Sequence, residues 1–98
     1  MSDGERELAR AEGTFTIVNE LGLHARAATK LVQLASRYRA EIELEKDGQL
    51  ANGKSIMGVL LLCGSPGAQL VVRGRGPDAR AAVDAIGALI SARFGEER

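Results

Sequence analysis

The chain is 98 residues long, which is enough for one domain with a modest core and too short for two. Its 13 Lys and Arg balance 13 Asp and Glu, and Phe15, Tyr38 and Phe94 are the only aromatics, so it has neither the basic footprint nor the stacking platform that nucleic-acid binding needs. The single cysteine, Cys63, rules out an internal disulfide, and with one histidine it leaves no metal cluster to build; no metal and no cofactor is expected.

Residues 1–12 read MSDGERELARAE, too charged for the apolar core of a signal peptide and too poor in apolar surface to offset the entropy of ordering. They are expected to form a flexible charged arm ahead of a single domain over 13–98. No stretch approaches the length of a membrane span, and the expected location is the reducing cytoplasm, without membrane insertion.

Thr14 to Val18 is β-branched and aromatic, with Phe15 and Ile17 separated by Thr16, which suits a strand with one buried face. Asn19 to Leu23 reads as a loop. From Ala25 the period changes: Ala28, Leu31, Val32 and Ala35 fall at i, i+3, i+4 and i+7, the apolar stripe of a helix running to about Tyr38. Glu41 to Glu45 alternates strictly, pointing Ile42 and Leu44 inward and three carboxylates outward. Asp47-Gly48 signals a two-residue hairpin turn, so that the returning strand Gln49 to Asn52 sets Ala51 opposite Leu44.

Ser55 stands at the N-cap position of a short helix, Ile56 to Leu62, which Gly64-Ser65-Pro66-Gly67 terminates. Six large apolar residues on two turns cannot all be hidden, and Ile56, Met57 and Leu60 are expected to form a partly exposed patch for partners. Cys63 has no basic neighbour to activate it and is read as a small packed residue. Gln69 to Arg73 is the last strand, and Gly76-Pro77-Asp78 opens a final helix with Val83, Ile86 and Ile90 on one face. The order is βαββαβα. The economical packing is an α/β (α+β) open-faced β-sandwich, a four-stranded antiparallel sheet with three helices on one face.

His24, in Gly22-Leu23-His24-Ala25-Arg26, lies between the first strand and the first helix. A helix start offers unpaired backbone N–H groups, here those of Ala25, Arg26 and Ala27, and the positive end of the dipole, so an anion held on His24 is stabilised there. Arg26 can add a charge-assisted hydrogen bond. As an ordinary first-turn residue Arg26 opposes the dipole, which itself argues for an anionic partner. These features make His24 a candidate phosphoryl acceptor.

The pair Gly22-Leu23-His24-Ala25-Arg26 and Lys54-Ser55-Ile56-Met57-Gly58-Val59, joined by this order of elements, resembles the HPr family, phosphocarriers of the bacterial phosphoenolpyruvate-dependent phosphotransferase system, from Thr14 to about Phe94. The resemblance implies a carrier, not an enzyme: His24 takes a phosphoryl group from phosphorylated enzyme I on the ring nitrogen nearer the backbone, Arg26 helps to hold it, and a IIA-type protein receives it. It also makes Ser55 the counterpart of a serine phosphorylated by an HPr serine kinase/phosphorylase, which would add charge beside the Ile56, Met57 and Leu60 patch. The chain departs from the family in having Ala27 where most members have proline. The alternative reading is a regulatory interaction module set mainly at Ser55, with little or no role in sugar transport. In either case a monomer is expected.

Overall fold

The computed structural model describes residues 9–98; the earlier part of the charged arm, including Leu8, lies outside the described residues. The elements are β1 (Arg10–Thr16), α1 (Ala25–Ala35), β2 (Glu41–Lys46), β3 (Gln49–Asn52), α2 (Ile56–Leu61), β4 (Gln69–Arg75) and α3 (Ala79–Ser91), followed by a 3-10 turn at Arg93–Gly95. The strands form one antiparallel sheet in the order β1-β4-β2-β3.

The first strand begins earlier than its sequence suggests. Arg10, Ala11 and Glu12, expected in the arm, pair with Arg75, Gly74 and Arg73, while Ile17 and Val18 lie past the strand's end. Propensity placed the strand on its β-branched residues, but pairing with β4 recruits weak strand formers as well. Pairing continues less regularly beyond Thr16, where the Ile17 N–H donates to Ala68 O and the Gly67 N–H to Ile17 O.

One face of the sheet carries Ala11, Ile42, Leu44, Leu70 and Val72, all buried beneath the helices. The hairpin has the expected register, with Leu44 facing Ala51. Asp47 and Gly48 both have positive φ, 50° and 83°, as a type I′ turn requires. The other face is open, and there Arg73 on β4 reaches Glu12 on β1 and both Glu43 and Glu45 on β2, at 2.7, 3.2 and 2.8 Å. Two of the three outward carboxylates of β2 are thus tied across strands.

α1 buries Ala27, Ala28, Leu31, Val32 and Ala35, and stops at Ala35, short of Tyr38. Its last turn tightens, with Arg37 and Tyr38 N–H groups donating three residues back to Leu34 O and Ala35 O. Asp78 precedes α3 but makes no side-chain cap. Its carboxylate instead accepts from the Arg39 and Ala40 N–H groups at 2.9 and 2.8 Å, securing the turn between α1 and β2. These bonds, the Arg39 one first, hold the Asp78 carboxyl below its ordinary range.

α3 lies across β1 and β4 through Ala79, Ala82, Val83, Ile86 and Ile90. Gly87 leaves the space the Phe15 ring occupies; a Cβ there would collide with that ring. After α3, Arg93, Phe94 and Gly95 take left-handed φ values of 59°, 54° and 78°, turning the chain back while Phe94 is fully buried. Phe94→Ala should remove about 3–5 kcal/mol of stability, as large aromatic truncations in packed cores do, read as a lowered urea midpoint.

Candidate functional site

His24 occupies the N-cap position of α1 with extended backbone, φ −77° and ψ 177°, and its side chain makes no capping bond. The first backbone bond of the helix runs from the Ala28 N–H to His24 O, 2.9 Å. The N–H groups of Ala25, Arg26 and Ala27 therefore precede the first intrahelical donor, as the sequence predicts. The approach to the helix is fixed by Gly22, with φ 64°, and by the Leu23 N–H, which donates to Gly64 O at 2.7 Å. A Cβ on Gly22 would strike that same carbonyl, so the loop and the turn after α2 are packed backbone against backbone.

The imidazole is neither buried nor free: 27% of the side chain is exposed, and Nε2 donates to Glu96 Oε2. Glu96 was not singled out in the sequence, being 72 positions away. Its other oxygen, Oε1, accepts from Asn19 Nδ2 at 2.9 Å, and the same nitrogen reaches Gly22 O at 2.9 Å. Asn19 is fully buried, and its Oδ1 accepts no hydrogen bond among the described residues. The tail that delivers Glu96 is held by Lys30 of α1, whose Nζ donates to Phe94 O at 2.7 Å, and by the Glu96 N–H bonding to Arg93 O. Hydrogen bonds from Asn19 first, then His24, hold the Glu96 carboxyl below its ordinary range against partial desolvation.

Arg26 is exposed and lines the same shallow hollow as His24, together with Glu20, Leu21 and Glu96. Among the described residues no group of His, Cys, Asp and Glu is arranged to hold a metal ion. No helix there is long and apolar enough to cross a membrane.

Ser55 caps α2, its Oγ accepting from the Gly58 N–H at 3.1 Å. α2 packs on α1, so the two motifs sit on neighbouring helices. Of the expected apolar patch, Ile56 and Met57 are exposed, at 43% and 67%. Leu60 is half-buried, with part of its side chain packed against the core, and Leu61, at 67%, adds exposed apolar surface to the same helix. The helical phase decides this: Leu60 lies beside Val59 toward the sheet, whereas Leu61 is one turn on from Met57. Cys63 is exposed with φ 51°, not packed, because the chain turns left-handed after α2 and swings its side chain outward. Lys54, part of the second motif, donates from Nζ to Tyr38 O at 2.7 Å and ties the end of α1.

A family profile described as PTS HPr component phosphorylation site matches residues 11–92. The chain is 46% identical over 81 residues to phosphocarrier protein HPr of Cupriavidus necator, covering 83% of this chain and 91% of that one. It is also 46% identical over 89 residues to phosphocarrier protein NPr of Shewanella violacea, covering 91% and 98%. The crystal structure of HPr-C-His from Thermoanaerobacter tengcongensis is similar with a TM-score of 0.86 and 42% identity, covering 90% and 99%. Sheet order, helix placement and relatives together define a small phosphocarrier, a protein that bears a phosphoryl group and is not itself an enzyme. The chain belongs to the HPr family of the phosphotransferase system.

The depressed Glu96 carboxyl has a consequence for acid stability. A carboxyl whose folded pKa lies below its unfolded one contributes stability above the unfolded value, about 4.3 for an ordinary glutamate, and loses it as pH falls through the folded value. Wild type should therefore exceed Glu96→Gln in urea midpoint at pH 5–6, with the gap shrinking below about pH 4.

Proposed function

We propose that this protein carries a phosphoryl group on Nδ1 of His24, taking it from phosphorylated enzyme I and passing it to a histidine on a IIA-type protein, in the cytosol and as a monomer. The observation that carries this reading is the placement of His24: at the start of an eleven-residue helix, partly exposed, with no capping bond to occupy its ring and Arg26 in the same hollow. Phosphoryl transfer passes through a loose transition state whose charge spreads over equatorial oxygens, so donors placed around those oxygens supply most of the help. The N–H groups of Ala25, Arg26 and Ala27 and the Arg26 guanidinium are the donors offered here. The partner protein supplies the rest, which fits a shallow, open site.

Ser55 supports a regulatory layer on the same carrier. Its Oγ already sits at a helix start, where a phosphate is electrostatically tolerated, and the cap it provides is worth about 1 kcal/mol. Phosphorylation by an HPr serine kinase/phosphorylase would place close to two negative charges beside exposed Ile56 and Met57. The cost falls on docking and not on folding. A protein governed mainly at Ser55 would show this effect on partner binding while His24 stayed dispensable.

Mixing the protein with phosphoenolpyruvate and enzyme I should add one acid-labile phosphate by intact mass, absent in His24→Ala. Arg26→Ala should load about 100-fold more slowly, the scale seen when one donor to a developing anion is removed. Ser55→Asp should slow loading without lowering the urea midpoint. A wild-type protein that takes no phosphate from an enzyme I active on another carrier overturns the reading.

A further inference from the structure

We infer that Glu96 is a positioning residue for phosphoryl transfer, holding the proton on Nε2 of His24 so that Nδ1 alone is the nucleophile and the ring can depart as neutral imidazole. The inference rests on the carrier reading above and concerns which nitrogen reacts and why.

A carboxylate only accepts hydrogen bonds, so the contact between Glu96 Oε2 and Nε2 requires the proton to be on Nε2. In the neutral ring the lone pair is then on Nδ1. Nε2 is ordinarily the less hindered nitrogen of a histidine side chain, since Nδ1 stands next to the carbon that joins the backbone. Left to itself, the ring would offer a phosphoryl donor both nitrogens. Here Glu96 covers Nε2, and Asn19 keeps Glu96 in place through its second oxygen. The buried Asn19 and Phe94 fix the two ends of this clamp, one on the loop before α1 and one on the tail after α3.

The balance of the step explains why the proton must stay. The Nδ1 lone pair forms the N–P bond, and the donor's bond to phosphorus breaks with its electron pair returning to the donor nitrogen. The ring gains a positive charge, shared toward Nε2–H, directly against the Glu96 carboxylate. In onward transfer the acceptor nitrogen attacks phosphorus and the N–P pair returns to Nδ1. With Nε2 still protonated the leaving group is neutral imidazole; without that proton it would be an imidazolate anion, a far poorer one. The carboxylate interaction is strongest in the charged, phosphorylated ring, the relation by which a buried carboxylate orients a catalytic histidine. The other charges around the ring are Arg26 and Lys30 from α1, Glu20 from the loop, and Glu97 and Arg98 from the tail. None of these has a hydrogen bond to Nε2 among the described residues, whereas Glu96 does.

Phosphoramidate, a small phosphoryl donor, tests this without a partner protein. Wild type should take phosphate on Nδ1 alone, resolved by ³¹P and ¹⁵N NMR, and its unphosphorylated ring should show protonated Nε2. Glu96→Ala should load Nδ1 about tenfold more slowly, the rate equivalent of one charge-assisted hydrogen bond lost from the transition state, and should acquire the Nε2 isomer. Glu96→Gln, which keeps an accepting oxygen but not the charge, should preserve the Nδ1 isomer while loading slowly. Equal rates and an unchanged isomer in Glu96→Ala, with folding intact by circular dichroism, overturn the role of Glu96 and leave the carrier reading standing. Absence of phosphate on His24 in wild type overturns the carrier reading itself.

Discussion

The end of the chain has to come back to the beginning of α1, and the geometry around His24 depends on that return. α3 runs along β1 toward the end of the sheet from which the loop to His24 leaves, with Val83 beside Gly13 and Gly87 beside Phe15, and the tail must then turn to bring Glu96 onto the ring. Two non-glycine residues in left-handed conformation are an unfavourable way to end a helix. They are held because Phe94 is fully buried and its carbonyl accepts from Lys30. The burial of one aromatic ring thus offsets the strain of a turn whose result is the placement of one carboxylate. Stability and site geometry are coupled through the same residue.

Much of the architecture was legible because it rests on periodicity. The α1 stripe, the alternation of β2, the Asp47-Gly48 turn and the Ser55 cap are local patterns, and each appears where its residues put it. What sequence reading missed is non-local. The first strand starts at Arg10 because Arg73 to Arg75 offer it backbone partners and Arg73 a countercharge for Glu12, neither of which is visible in the arm itself. The exposure of Leu61 was not legible because the two turns of α2 have a phase that a continuous apolar run does not reveal.

The site divides in the same way. His24, Arg26 and Ser55 announce themselves by type and position at helix starts. Glu96 does not, because a glutamate in a terminal Gly95-Glu96-Glu97-Arg98 run looks like any solvated tail. Asn19 in a loop before glycine looks like turn chemistry. The available signal was indirect: Phe94, one of three aromatics, stands close to the end of the chain, where a ring that size is worth burying only if the tail docks.

The division also separates two kinds of demand on the site. On the proposed carrier reading, the oxygens of a phosphoryl group are met by donors that a partner can reach, and the donors proposed for this sit at an exposed helix start and an exposed guanidinium. The imidazole must be held in one orientation and one protonation pattern before any partner arrives, and its holder must not compete for the same surface. A carboxylate on the far nitrogen, backed by a buried amide and an anchored tail, meets that second demand without obstructing the first. It does so with residues from the opposite end of the chain, so the histidine is presented correctly only in the closed fold. An unfolded or tail-frayed chain keeps the sequence motif but loses the contact between Glu96 and the ring.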